Sequence, residues 1–277
     1  MEYYEFLFEP IAAAQKDMLI ALLDSIGFTG FEEENETLKA FINKNDLNEI
    51  DLANVIVMMT DIQYSRSEIQ EINWNEKWEA GFEPVNILYP GTSETFVHLR
   101  AGFHKPGVDA KFDIVVTPKM SFGTGHHATT YLMIEQMSQV DFTHKKVIDF
   151  GTGTGILAIL AEKLGAEAVL AIDNDDWSIN NAKENISANH CERISLIKAE
   201  TVPVEKSAII LANINLNIIV NSLPAIKNAC EPGGIILFSG IMKRDEQSIL
   251  KALKEKNIKI DAVLEKNGWL AIVAKRP

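Results

Sequence analysis

The sequence predicts an α/β fold: a mostly parallel sheet covered by helices on both faces, closed by an antiparallel C-terminal hairpin and preceded by a small α+β unit. Three observations carry that expectation. From Lys145 onward, short apolar runs alternate with helix-length segments, the pattern of strands joined by crossover helices. One run, Val147-Ile148-Asp149-Phe150, passes straight into the glycine-rich loop Gly151-Thr152-Gly153-Thr154-Gly155. The last two runs meet at Lys266-Asn267-Gly268, where Asn-Gly signals a tight hairpin turn.

Taken in order, the first part of the chain reads as β-α-β-β-α-β. Tyr3 to Phe8 is a β-rich run. Ala12 to Ile26 places Ala13, Met18, Leu19, Leu22, Leu23 and Ile26 at helical spacing, with Gly27 as the stop. Phe28 to Phe31 and Thr37 to Ile42 read as strands joined by the polar Glu32–Glu36 turn. Asp46 begins a second helix, with Glu49 in the capping-box position, and a last strand falls near Asp61–Ser65. That order is the one found in ferredoxin-like folds. From Ser67 the chain becomes helix-prone, and Trp74 and Trp78 share one helical face.

The second part supplies strands over Lys146–Phe150, Ala168–Ile172, Ile194–Ala199, Ala208–Ala212 and Gly234–Ser239. Helices fall over Gly155–Leu164, Trp177–Asn189, Leu216–Cys230 and Asp245–Lys256, and Ile258–Leu264 and Trp269–Ala274 form the hairpin. The expected domains are therefore 1–66, a linker with a helix over 67–92, and a catalytic domain over 93–277.

Composition narrows the class. No run of about 18 uncharged apolar residues exists, so no membrane-spanning helix is expected, and the acidic start lacks the basic stretch of a signal peptide. Cys191 and Cys230 are far apart without metal-ligand spacing, which reads as two reduced thiols in a cytoplasmic protein. The net charge of −13 is uneven: residues 1–70 hold 14 acids and four bases, and so carry −10 of it. Such a segment repels phosphate backbones and attracts a basic partner, although charge alone is more readily read as a solvated face that only aids solubility. Direct nucleic-acid recognition is not expected, and a monomer is.

The glycine loop narrows the ligand. A dinucleotide site of the form G-x-G-x-x-G would need a small residue at 156, where Ile156 stands; here the third glycine falls at 155. An acid directly before the loop also opposes pyrophosphate at a helix N-terminus. Asp149 suits a ligand bearing a cationic amino group, and S-adenosyl-L-methionine has one besides its sulfonium. Asp173 ends the next strand, where a carboxylate can accept from both ribose hydroxyls. Asp175 and Asp176 are better read as N-caps for the following helix. Gly151 and Gly153 would approach the ligand with their backbone.

Two further segments bear on the acceptor. After the fourth strand comes Leu211-Ala212-Asn213-Ile214, which puts Asn213 where a polar residue faces both cofactor and methyl acceptor; the Pro-Pro-aromatic continuation of base-modifying enzymes is missing. Thr117-Pro118 through Phe122-Gly123-Thr124-Gly125-His126-His127-Ala128-Thr129-Thr130 precedes the first helix of the sheet domain. Its glycines and hydroxyls would close over the methionine end of the cofactor. Adjacent histidines point apart and lack a third ligand, so a metal site is not expected at His126-His127; His127 or Thr129 would cap the helix.

With these residues in view, the chain resembles the bacterial ribosomal protein methyltransferases that modify large-subunit ribosomal protein eleven. The motifs are Asn73-Trp74 through Pro84, Phe122-Gly123-Thr124-Gly125-x-His127-x-Thr129-Thr130, Asp149 to Leu157, Asp173-x-Asp175, Leu211-Ala212-Asn213-Ile214 and Ser239-Gly240-Ile241. Thr117 stands where such proteins usually show Asp before the proline. The resemblance implies cofactor contact by Thr130, Gly151, Asp173 and Asn213, with Asn213 also bordering the acceptor nitrogen. It implies trimethylation of lysine side chains and an N-terminal amine. It also gives the acidic residues 1–70 a purpose, since that domain docks a basic ribosomal protein in the family. A methyltransferase for another protein or a small-molecule amine is the alternative, and a non-catalytic nucleotide-binding module is the third.

Overall fold

A computed structural model describes residues 2–34, 36–59, 62–70, 82–117 and 125–277. The chain divides into two units, Met1–Lys77 and Trp78–Pro277.

The first unit runs β1 (Glu2–Phe8), α1 (Ala13–Asp24), β2 (Gly30–Glu34), β3 (Thr37–Asn43), α2 (Glu49–Met58) and β4 (Tyr64–Gln70). Its strands form one antiparallel sheet in the order β2-β3-β1-β4. β3 shows why: Leu38, Ala40 and Ile42 are buried and alternate with half-exposed neighbours, the period-two pattern of a sheet with one face in a core. Those residues pack with Phe6, Phe8, Leu19, Leu23, Phe28 and Leu52. Two expectations shift. Asn48, rather than Asp46, caps α2, its side chain accepting from the Ile50 N–H at 3.0 Å. The last strand lies at Tyr64–Gln70, so Ser67–Gln70 pairs with β1 and does not begin a helix. Cross-strand bonds along all of β1 override the helical propensity of that short run. Trp74 and Trp78 lie outside the described residues.

The second unit opens with β5 (Val85–Leu88), β6 (Thr95–Arg100) and β7 (Phe112–Val115), a three-stranded sheet in that order that the sequence pattern did not announce. Then come α3 (Ala128–Met137), β8 (Lys146–Phe150), α4 (Ile156–Lys163), β9 (Ala168–Asp173), α5 (Asp176–Ala188) and β10 (Ile194–Lys198). They are followed by β11 (Ser207–Asn213), α6 (Leu216–Ala229), β12 (Cys230–Met242), α7 (Glu246–Glu255), β13 (Lys259–Lys266) and β14 (Trp269–Lys275). The large sheet has the order β10-β9-β8-β11-β12-β14-β13. It is parallel through β12, and β14 joins antiparallel to both β12 and β13.

Burial on both faces explains the near-continuous apolar strands. Val147, Val169, Leu211 and Leu237 face one cluster together with α4 and the three-stranded sheet. Ile148, Phe150, Ile210, Phe238 and Ile272 face the other, with α6 and α7. The chain proceeds outward from β8 to β10, then returns to β11 on the other side of β8. That reversal leaves a crevice beyond the carboxyl ends of β8 and β11, where ligands bind in such sheets. Among the described residues no helix is long and apolar enough to cross a membrane.

Candidate cofactor site

A cavity of about 390 Å³ opens at that crevice. Phe150, Gly151 and Gly153 line it from the loop after β8, Asp173 and Asn174 from the end of β9, and Asn213 and Ile214 from the end of β11.

The loop between β8 and α4 spends its amides internally. The N–H groups of Gly151 and Thr152 both donate to the Ile172 carbonyl, at 2.8 and 2.9 Å. The Gly153 N–H donates to Asp173 Oδ2 at 2.9 Å, and the Gly155 N–H to the Thr152 carbonyl at 2.8 Å. An anion cradle needs free amides aimed at phosphate, and four of the loop's five are taken. A loop with those amides taken is poorly suited to cradle a pyrophosphate.

Gly151 has φ of 77°, and a Cβ there would stand 2.1 Å from Ile214 Cγ2. Gly240, φ 82°, meets the same residue from β12, where a Cβ would stand 2.3 Å from the Ile214 carbonyl oxygen. Side chains at both positions would displace Ile214, and with it Asn213. The two glycines therefore fix the turn that presents Asn213, beyond their tolerance of left-handed backbone.

Asp173 lines the cavity with one oxygen on the Gly153 N–H and the other on the Asp175 N–H at 3.1 Å. Each oxygen keeps a second lone pair for a ligand hydroxyl. Asp149 is placed differently: it is fully buried behind the loop and forms no part of the cavity wall. Burial pushes its carboxyl up to about 7, against the opposing hydrogen bond from the Thr152 hydroxyl at 2.6 Å. Thr130, on α3, is also buried and away from the wall. Phe122 and Gly123 lie outside the described residues.

One observation joins three of the expected residues. Thr130 Oγ1, Asp149 Oδ1 and Asn213 Oδ1 are buried oxygens without a hydrogen-bond partner among the described residues. Unsatisfied buried polar atoms are costly; Asn213 lines the crevice while Thr130 and Asp149 stand behind its wall, and a ligand that donates hydrogen bonds would answer such acceptors. A cationic amino group is such a donor.

The expected helix caps are in place. Asp175 caps α5, accepting from the Ser178 N–H at 2.9 Å, and His127 caps α3, its Nδ1 accepting from the Thr129 N–H at 3.4 Å. Several residues escaped the sequence reading. Ser178, Glu200, Ile218 and Trp269 also line the cavity. Glu200 follows β10 as Asp173 ends β9, so the repeated strand-end acid was a usable signal. Asn185 gave none: its side chain donates to the Thr154 carbonyl at 2.8 Å and accepts from the Thr117 N–H at 2.8 Å. It thereby joins the glycine loop to the segment after β7. Both cysteines are free thiols; Cys230 is buried and Cys191 half-buried.

Comparison with known proteins agrees with this geometry. Residues 14–277 match the family model described as Ribosomal protein L11 methyltransferase (PrmA). A protein of Bacteroides fragilis named ribosomal protein L11 methyltransferase is 34% identical over 98% of this chain and 99% of its own. The protein of that name from Phocaeicola vulgatus is 36% identical over 98% of each chain. The crystal structure of ribosomal protein L11 methylase from Lactobacillus delbrueckii subsp. bulgaricus superposes with a TM-score of 0.63 at 29% identity, covering 70% of this chain and 98% of that one.

Proposed function

The chain belongs to the ribosomal protein L11 methyltransferase family, and we propose how its residues serve the reaction of that family, the S-adenosyl-L-methionine-dependent methylation of ribosomal protein L11. The Rossmann-like sheet of the second unit is the class I methyltransferase fold. The acceptors are lysine side chains and the N-terminal amine, each taken to the trimethylated state. The observation that carries the site assignment is the set of oxygens on Thr130, Asp149 and Asn213 without partners among the described residues, in the unit whose glycine loop uses the Gly151, Thr152, Gly153 and Gly155 amides internally.

When bound, S-adenosyl-L-methionine supplies a methyl group on a positively charged sulfur. Asp173 would hold the ribose hydroxyls, Gly151 and Gly153 would lie along the ligand, and Thr130, Asp149 and Asn213 would receive the amino group of its methionine end. Phe122 and Gly123 belong to the same site by their motif. An acceptor amine must be neutral to attack, and transfer from water into a crevice lined by Ile214 and Ile218 favours the neutral form. Asn213 then borders the acceptor nitrogen, its amide oxygen accepting an N–H and aiming the lone pair. Orientation carries most of the remaining barrier, with reacting atoms about 3–3.5 Å apart, and no dedicated base is required.

The first unit we read as a ferredoxin-like docking domain. Its strand order is that of a ferredoxin-like fold, and the −10 charge of residues 1–70 suits a basic ribosomal protein. The protein acts as a monomer in the cytoplasm and without reading nucleic acid.

The test is transfer of labelled methyl from S-adenosyl-L-methionine to unmodified ribosomal protein L11. Wild-type protein labels it, and N213A lowers kcat about 10²-fold, roughly 2.7 kcal/mol, with cofactor affinity changed less. Label on another protein or on a small amine in a cell extract, and none on L11, would overturn the assignment.

A further inference from the structure

The cavity is chemically lopsided. Toward β9 and β10 its wall carries Asp173, Asn174, Ser178 and Glu200; toward β12 and β14 it carries Ile214, Ile218, Gly240 and Trp269, without a charged side chain. Trp269 leads β14, two strands from β11 and four from β9. At about 4.8 Å between neighbouring strands, it stands about 10 Å across the sheet edge from the strand of Asn213 and about 19 Å from that of Asp173. A ligand whose ribose lies on Asp173 and whose amino group reaches Asn213 therefore ends short of Trp269. The space between is where the acceptor enters.

We propose that Trp269 is the specificity-determining wall of the acceptor pocket, the surface on which the substrate amine and its methylated products rest. This rests on the functional reading above and goes beyond it.

Three features support the assignment. The Trp269 backbone is fixed by register opposite Lys266 and Met242, after the tight Asn267-Gly268 turn, and its ring meets His127 edge to face at 4.7 Å between centroids. Burial lowers the His127 pKa below its ordinary value, so the imidazole behind the indole is neutral near pH 7 and does not repel an incoming amine. The chemistry of an indole face also suits the task. A carboxylate at this place would stabilise the ammonium form and oppose attack. A hydrogen-bond acceptor would favour amines still carrying N–H, and so would discriminate against each product as substrate for the next transfer. An aromatic face offers an apolar surface that packs against the methylene and methyl groups of a neutral amine without needing an N–H. It can hold an acceptor bearing none, one or two methyls.

The experiment uses the full chain with unmodified ribosomal protein L11 and S-adenosyl-L-methionine. Intact-mass spectra read the mono-, di- and trimethyl ladder, and calorimetry reads cofactor affinity, for wild type, W269F and W269L. The expected result is a trimethyl fraction at least fivefold lower for W269L, with mono- and dimethyl species accumulating, cofactor affinity within twofold, and W269F close to wild type. An unchanged ladder in W269L overturns the proposal. So does a uniform loss at every step accompanied by weakened cofactor binding, which would mark Trp269 as structural. If W269L does not fold, W269M replaces it and is judged by the same ladder. A wild-type protein that transfers no methyl to L11 refutes the parent reading instead, so the two failures are distinguishable.

Discussion

The two units of this chain keep their polar groups in opposite ways. In the first, the buried Lys16 is answered within the unit, donating to the Glu34 carbonyl at 3.4 Å, and Lys44 pairs with the exposed Glu68 at 2.9 Å. In the second, all five buried side-chain polar atoms without partners among the described residues are found, three of them Thr130 Oγ1, Asp149 Oδ1 and Asn213 Oδ1. A fold can leave such atoms unsatisfied where something else satisfies them. The first unit offers only its net charge, a property of the surface, as a functional signal. The contrast separates two kinds of functional signal, a local one that names atoms and a diffuse one that names a partner's charge.

The largest effect should come from the local signal. Replacing Asp173 by Ala removes the carboxylate facing the cavity and releases the Gly153 and Asp175 amides it holds. Hydrogen bonds to a charged group contribute about 1.5–3 kcal/mol each, so cofactor affinity should fall about 10- to 100-fold in calorimetry. Retained affinity would remove Asp173 from the ribose and blur the contrast between the units.

Legibility followed the same division. The parallel sheet, its hairpin and the glycine loop could be read because their signals are periodic or contiguous. The three-stranded sheet at 85–115 could not: β5 and β7 have four residues each, too short for alternation to register, and β6 is fixed by tertiary pairing. The end of β4 differs from the expectation because helix propensity in Ser67–Gln70 is local while its pairing with β1 is not. In the site, Gly151, Gly153, Asp173 and Asn213 were readable from strand ends, and all line the cavity. Asn185 and Trp269 were not, since they act through residues distant in sequence. The burial of Asp149 was invisible too, because an acid before a glycine loop looks the same whether it faces the ligand or stands behind.

That placement gives a second, pH-dependent effect of intermediate size. The Asp149 carboxyl sits at about 7 in the folded chain and near 3.9 when unfolded. Between those values the folded state holds more proton than the unfolded one, so this group's stabilisation is full below pH 4 and lost as pH rises to 7. D149N lacks that loss, and ligand-free D149N should melt above wild type at pH 8, by about 2–4 °C for each kcal/mol recovered. A cationic ligand selects the ionised carboxylate, so cofactor binding to wild type at pH 6 should release protons. Calorimetry in buffers of different ionisation heat measures that release; a heat independent of buffer would detach Asp149 from the ligand's amino group.

The smallest effect belongs to the diffuse signal, and it tests the comparison from the other side. Glu33 and Glu34 are exposed on β2, at the edge of the acidic unit's sheet. Reversing both to Lys changes that unit's charge by four while leaving its core pairs alone. Exposed charges act mainly on encounter, with interactions screened beyond about 8 Å at physiological salt. The expected outcome is a KM for the basic protein substrate about three- to tenfold higher at low salt, an unchanged kcat, and a difference that vanishes near 0.5 M salt. A fall in kcat instead would mean that the first unit contributes to orientation of the acceptor, so that its role would be local after all. An unchanged KM would mean that these acids only solubilise the chain, and that recognition rests on contacts which charge counting does not detect.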